Sequence, residues 1–434
     1  MTPSRIFFHK TRKNSNSLAA LVGALEFTCS THSGEIPAEL PDLSDWDIGF
    51  FGPAAKTDGP GTESQGTTVV AYSFMSVDRP EVDSSLERVR EQRPDAILIA
   101  GGAHPSGDPE GTLAMGFDRV FVGEGELSLP WFLHGLSDGL SGPAIIRGGH
   151  PPVDLDRFPS FAAQHNLLAP IELSRGCPFA CKFCHIPFIQ GRRMRHRSVE
   201  SVLDHVRLSR ERGRVRTWFV SSDAFAYGSA DGRQGDRNSC ERLLKGCRDE
   251  GMREVFFGGF PSEVRPDHVT EELLELVVNY CSNRTVVVGA QSGSDRVLRS
   301  ISRGHSVSQA LDAVRKVHSF GLIPHVDFMV GLPGETLEER RQTLETIEVV
   351  TEQFGGRVHV HYFMPHPGTP YGNAVPEPVE DEILGRLEVL TGKNVADGFW
   401  RRQRHVAARA NPDVLKDSTI RLFETDERSK DGSS

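Results

Sequence analysis

Short apolar runs alternate with helix-period segments along almost the whole chain. "RIFFHK" at the start predicts a strand, and "NSLAALVGALE" after it predicts a helix. "WDIGFFG", "TTVVAYSFMS", "DAILIAGG" and "DRVFVGEGE" predict four more strands. Ahead of "DAILIAGG", Val82, Leu86 and Val89 recur on one helix face. Five strands interleaved with helices predict an α/β, Rossmann-like open parallel sheet over residues 1–145, with helices on both faces. Ligands of such sheets lie beyond the carboxyl ends of the strands. Proline- and glycine-rich sequence ("SGP", "GGHPPVD", "RFPS") then predicts a linker over 146–165.

The alternation resumes over 166–375. Strands are predicted at "PIELS", "RTWFVSS", "REVFFGG", "RTVVVGA", "PHVDFMV" and "RVHVHYFM". Val199, Val202, Leu203 and Val206 line one helix face. Ser306 with Gln309, and Thr336 with Glu339, have capping-box spacing, and Gly321 falls where a helix should end. Six strand–helix units predict a partial (β/α)6 barrel. Residues 376–434 read as a helical extension with a poorly ordered tail.

Composition narrows the class without naming a chemistry. Apolar content of 38% in 434 residues suits a globular enzyme, and no apolar run is long enough to span a membrane. The N-terminus lacks the long apolar core of a signal peptide, so the expected location is cytoplasmic. A net charge of −10 argues against general nucleic-acid binding, and the basic run "GRRMRHR" at 191–197 reads as a solvated loop. Seven cysteines are an odd number, and four of them are scattered, which suggests no disulfide framework.

The other three, Cys177, Cys181 and Cys184 in "CPFACKFC", follow directly on a predicted strand. Active sites of barrels are built at that end. Three crowded thiolates suit zinc, with His185 as a fourth ligand, or an iron–sulfur cluster with one iron left open. "CxxxCxxC" with Phe183 before the third cysteine resembles the signature of radical S-adenosylmethionine (SAM) enzymes. "RSVESVLDHV", "GAQSGSDRVLRSISRGHS", "VDFMVGLPGET" and "YFMPHPGTPYG" resemble later segments of that family, in order. The resemblance implies a [4Fe–4S] cluster on the three cysteines. Its open iron would chelate SAM, whose cleavage would release a 5′-deoxyadenosyl radical. The resemblance also implies SAM contacts from Ser222 and Asp223, from Gln291 and Ser292, and from Arg303. "SSDAF" departs from the family's glycine-glycine-glutamate there. Gly331, Pro333 and Gly334 read as a turn.

A parallel sheet ahead of such a barrel resembles the cobalamin-binding radical SAM enzymes of the class B methyltransferase type. Ser73, Gly101 and Gly102, with Gly123, Glu124 and Gly125 in "FVGEGE", match the family's cobalamin loops, and His104 lies near the same edge. The first loop, "HKTRKNSNS", lacks the DxHxxG histidine, and His9 is the nearest stand-in. The implied reaction is methyl transfer to an unactivated carbon of a small molecule or peptide, with a flavodoxin or ferredoxin as electron donor. Three alternatives stay open: another radical reaction with a degenerate cobalamin domain, a methylthiotransferase, and an iron–sulfur sensor or electron carrier. Methylthiotransferases normally carry a further cysteine trio in the N-terminal domain, where this chain has only Cys29. His359, His361 and His366 are candidates for handling substrate protons.

Overall fold

The computed structural model describes residues 4–29, 40–55, 59–60, 66–140, 142–149 and 151–409. The expected tail from 410 onward lies outside them.

Six parallel strands form the first sheet: β1 (Ser4–His9), β2 (Trp46–Phe51), β3 (Thr68–Ser73), β4 (Ile97–Gly101), β5 (Arg119–Val122) and β6 (Ile145–Arg147), in the order β2-β1-β3-β4-β5-β6. Alternate residues sort into two cores. Ile6, Phe8, Val69, Ala71, Ile99 and Phe121 meet the helices Ser15–Cys29 and Ser128–Ser137. Val70, Tyr72, Leu98, Ala100 and Val120 meet the helix Arg79–Gln92 through its Val82, Leu86 and Val89 stripe. Burial on both faces explains why these strands read as continuous apolar runs. The chain runs outward from β1 to β2, then returns past β1 to β3. A crevice opens at that reversal, beyond the carboxyl ends of β1 and β3.

The expected count of five strands missed β6. It is three residues long, pairs with β5 at Val120–Val122 and straddles the expected boundary at 145. The segment read as a linker is not loose either. Val153, Leu155, Phe158, Phe161 and Ala162 are buried, and Phe161 and Ala162 join one core running from the sheet into the barrel. Turn-forming residues obscured an apolar pattern that only tertiary packing makes visible.

The second half is an open arc. Its first three strands are β7 (Ile171–Glu172), β10 (Arg216–Val220) and β11 (Glu254–Phe256), ordered β11-β10-β7. Its last three are β12 (Thr285–Gln291), β13 (Ile323–Val330) and β14 (Arg357–Tyr362), in sequence order. Gly258 and Val264 join the two halves by backbone hydrogen bonds to β12. The outer edge of β14 meets Ala396 of the C-terminal extension. Between β7 and β10, a two-stranded antiparallel ribbon of β8 (Ser174–Arg175) and β9 (Arg195–His196) closes the base of the cysteine loop. The helices begin where the capping signals place them: Ser306 with Gln309 and Thr336 with Glu339 form reciprocal boxes. Gly321 takes φ +73° just past its helix.

Candidate active site

The crevice at the β1/β3 reversal is a partly open cavity of about 360 Å³. Its sheet-side wall includes Ser73, Gly101, Gly102, Gly123, Glu124 and Gly125. Its far wall comes from the barrel: Glu172, Arg175, Val220 and the segment at His185, Ile186, Ile189 and Gln190. The sheet edge is kept bare by backbone geometry. Gly102 has φ +95°, and a Cβ there would lie 2.9 Å from Ser73 Oγ and 3.0 Å from the Phe74 nitrogen. Ser106 Oγ accepts from the Gly123 N–H (3.0 Å), which ties the β4 and β5 loops together.

Of the residues expected at this cavity, His104 is turned elsewhere and Glu124 has its carboxylate taken by other side chains. His104 is buried but absent from the cavity wall; its Nδ1 meets Ser76 Oγ at 2.9 Å and its ring packs on Phe74. The Glu124 carboxylate is occupied by Arg175 Nη1 (3.1 Å), Arg195 Nη2 (2.5 Å) and the Val153 N–H (2.8 Å). Burial opposes its ionisation, but these donors outweigh it and hold its pKa below the usual value. His9 packs between Phe51 and Tyr72 and does not line the cavity.

Arg195 and Arg197 of the basic run are not solvated, contrary to the expectation. Arg197 is 2% exposed and donates to the Phe158 carbonyl (2.8 Å), and Arg195 joins the Glu124 cluster. Charge spacing alone could not distinguish these two from the exposed Arg192 and Arg193 beside them.

Cys177, Cys181 and Cys184 share the loop above β8, where the Cys177 N–H bonds Gly191 O (3.1 Å) and the Cys184 N–H bonds Cys181 O (3.1 Å). Burial pushes the Cys184 thiol up to about 12, and the charges of Cys181 and Cys177 add to this. Cys177 is raised for the same first reason. Buried thiols with raised pKa values are poor anions on their own but become thiolates on binding metal, and three of them in one loop are a donor set that fits a metal cluster. Arg303 lies beside them, with Nη1 3.6 Å from Cys181 Sγ and Nη2 2.7 Å from Gly289 O. A Cβ on Gly289 would lie 2.7 Å from that Nη2, so the glycine makes room for the guanidinium. His185 Nε2 donates to Pro367 O (3.0 Å) and therefore leaves only Nδ1 as an acceptor.

The expected SAM contacts divide. Gln291 follows a bulge in β12 with φ +76°, and its amide nitrogen lies on Gly289 beside Arg303. Ser222 Oγ donates to Gly176 O (2.6 Å) and shapes the cysteine loop. Ser292 is fully buried; its hydroxyl accepts from the Ser294 N–H (3.1 Å) and faces Thr343 Oγ1. The Asp223 carboxylate is taken by His268 Nδ1–H (2.6 Å) and the Phe225 N–H (3.1 Å). What that pair presents beside the cysteine loop is His268 Nε2, which has no partner, with the ring against Phe179. Arg265 stacks 3.5 Å over the same Phe179 ring. Sequence reading missed Arg175, Glu126, His268 and Arg265. The first two had a signal, since Glu126 ends "GEGE" and Arg175 precedes Gly176–Cys177.

Val358, Val360 and Tyr362 face the outer helices, which turns His359 and His361 into the barrel beside Asp327. The spacing of these three suits a metal ion. The hydrogen bonds oppose it. Gln403 Oε1 accepts from the Tyr362 N–H (2.9 Å), so its Nε2 donates to His361 Nδ1 (3.0 Å). His361 therefore carries its proton on Nε2 and presents a donor, not a lone pair. His366 lies elsewhere, its ring 4.8 Å from that of His185.

Residues 171–347 match the model of the Radical SAM superfamily, and residues 62–132 that of the B12 binding domain. An uncharacterized protein of Methanopyrus kandleri is 25% identical over 406 residues, covering 80% of this chain and 76% of its own. A tRNA-2-methylthio-N(6)-dimethylallyladenosine synthase of Acidithiobacillus ferrooxidans is 28% identical over 334 residues, covering 71% and 68%. Among solved structures, the radical S-adenosylmethionine methyltransferase TsrM from Kitasatospora setae shares the fold with a TM-score of 0.61. Identity to it is 15%, over 86% of this chain and 78% of that one. The cobalamin-dependent S-adenosylmethionine radical enzyme OxsB gives 0.58 at 14% identity, over 94% and 61%. No helix among the described residues is long and apolar enough to cross a membrane. The chain thus carries a radical SAM domain with a B12-binding domain ahead of it, which implies a [4Fe–4S] cluster, SAM and cobalamin as cofactors.

Proposed function

We propose that this enzyme transfers a methyl group to carbon of a small-molecule or peptide substrate, drawing electrons from a small reductant protein. One observation carries the reading: a single cavity is walled on one side by the B12-type glycine loops and on the other by the segment that follows Cys184. A substrate held there meets both cofactors without leaving the site. When bound, the cluster supplies the electron that opens a carbon–sulfur bond of SAM, and cobalamin carries the methyl group.

The chain's own residues divide the remaining work. Cys177, Cys181 and Cys184 hold the cluster. Arg303, raised above its ordinary pKa because the cysteine charges outweigh the effect of burial, stays cationic where a SAM carboxylate would lie. Gln291 offers its amide beside that guanidinium. Ser73, Gly101, Gly102, Gly123 and Gly125 give the corrin a flat, uncharged floor. His185 is kept neutral by burial, with Nδ1 able to accept a proton at the cavity wall.

The relatives that add a methylthio group favour a second reading. The experiment separates the two: reconstituted, reduced protein is given SAM, hydroxocobalamin and candidate substrates, and products are weighed. A methylated product whose yield depends on cobalamin supports the proposal. A methylthiolated product formed equally well without cobalamin overturns it.

A further inference from the structure

The cysteine loop is clamped to the sheet domain at its base. Arg175 and Arg195 stand opposite each other across the β8–β9 ribbon, and both reach into the "GEGE" loop after β5. Arg175 binds Glu124 (3.1 Å), Glu126 Oε1 (2.9 Å) and Glu172 (2.7 Å). Its neighbour in sequence is Gly176, where a Cβ would lie 2.4 Å from Arg193 O, so the backbone between the clamp and Cys177 has little room to move. Within this network one atom is unused. Glu126 is 6% exposed and lines the cavity, and its Oε2 is buried with no hydrogen-bond partner. A carboxylate oxygen in that position asks for an N–H donor from whatever fills the cavity. The rim of a corrin carries neutral acetamide and propionamide groups, which are such donors.

We infer that Glu126 Oε2 accepts an N–H from a corrin side-chain amide, and that Glu126 thereby acts as a positioning residue. Its other oxygen holds Arg175, so a seated corrin fixes the base of the loop that carries the cluster. The inference rests on cobalamin occupying this cavity.

The test uses full-length protein with its cluster reconstituted, and hydroxocobalamin as the probe. Glu126→Ala and Glu126→Leu should each weaken corrin binding by about 10- to 100-fold, the range for a hydrogen bond to a charged group. Iron content and the corrin-free spectrum of the reduced cluster should stay unchanged. In wild type, corrin should alter the electron paramagnetic resonance of the reduced cluster; in both variants this response should vanish even at saturating corrin. A measurement on wild type alone guards against misfolded variants. Of the cobalamin monocarboxylates, in which one rim amide has become a carboxylate, one should bind at least about 10-fold more weakly than its isomers, because it faces Glu126. Equal binding of all the isomers, or wild-type affinity in Glu126→Leu, overturns the inference. Wild-type protein that binds no cobalamin overturns the cofactor assignment itself, a result separate from either.

Discussion

Two parallel-sheet edges bear the candidate cofactor-binding loops, and they are made of opposite materials. On the sheet side, the loops after β3, β4 and β5 present Ser73 and four glycines, and the carboxylates of Glu124 and Glu126 are bound by Arg175 through one oxygen each. On the barrel side, the loops after β7 and β12 crowd three cysteines with Arg303, and Arg265 stacks on Phe179 between them. The difference fits the proposed ligands. A corrin is broad and largely neutral, so a flat backbone surface suits it and a side chain would stand in its way. A cluster held by thiolates brings concentrated charge, so its seat needs guanidinium groups held in fixed places.

Substitutions on the two edges should therefore fail in separable ways. The largest effect is expected at the cysteines. Cys181→Ala should reduce iron from about four atoms per chain to well under that and stop SAM cleavage. Cobalamin binding should persist, because no cavity-lining side chain is altered. Normal 5′-deoxyadenosine formation by this variant would refute the cluster assignment.

The converse substitution is Gly102→Val. Its positive φ and the 2.9 Å approach to Ser73 Oγ leave no place for a branched side chain. Strain of roughly 1–3 kcal/mol, added to the lost floor, should weaken hydroxocobalamin about 10-fold or more. Iron content should not change. Gly101→Ala is the milder control, since a Cβ there meets nothing nearer than 3.7 Å. If both variants bind corrin as wild type does, the bare edge is not the corrin seat.

Arg303→Gln sharpens the barrel side. Removing a buried cation 3.6 Å from Cys181 Sγ should make the cluster harder to reduce and weaken SAM binding, with corrin affinity unchanged. A redox titration of the reconstituted protein checks the direction. A potential that rises, or does not move, would assign Arg303 to packing alone.

The same contrast explains what could be read from the chain in advance. Elements buried on two faces announce themselves through apolar runs, and capping boxes at Ser306 and Thr336 mark helix starts locally. The cysteine trio stood out in the sequence because its spacing is local and needs no folded partner to be seen. Pairings made across distance were not legible. Asp223 finds His268, and Glu124 finds Arg175 and Arg195, only after folding, and each partner occupies a carboxylate that the sequence offered to a cofactor. Strand β6 and the packed segment at 153–162 were hidden for a related reason, since three residues or scattered aromatics set up no period.

The smallest expected effect concerns histidines buried in the neutral state, which are more numerous on the barrel side. The sheet holds His9, lowered to about 4 by burial, and His104, lowered for the same reason. The barrel holds His205, His361 and His366, each lowered to about 4 by burial first. His205 is the cleanest to test because its tautomer is fixed: Nε2 accepts from the Ser160 N–H (2.9 Å) and Nδ1 donates to Ser201 O (2.7 Å). Its folded pKa lies below the ordinary 6.5, so between 6.5 and about 4 the unfolded chain holds a proton that the folded chain lacks. Stability is therefore lost as pH falls through that window, at about 1.4 kcal/mol per pH unit for each such group. His205→Gln keeps one acceptor and one donor but cannot titrate. Denaturant melts of the cofactor-free protein across this window should show a slope shallower by about that amount, with little change near neutrality. An unchanged slope would mean that His205 is already charged in the folded protein, or that the segment around Ser160 opens before the barrel does.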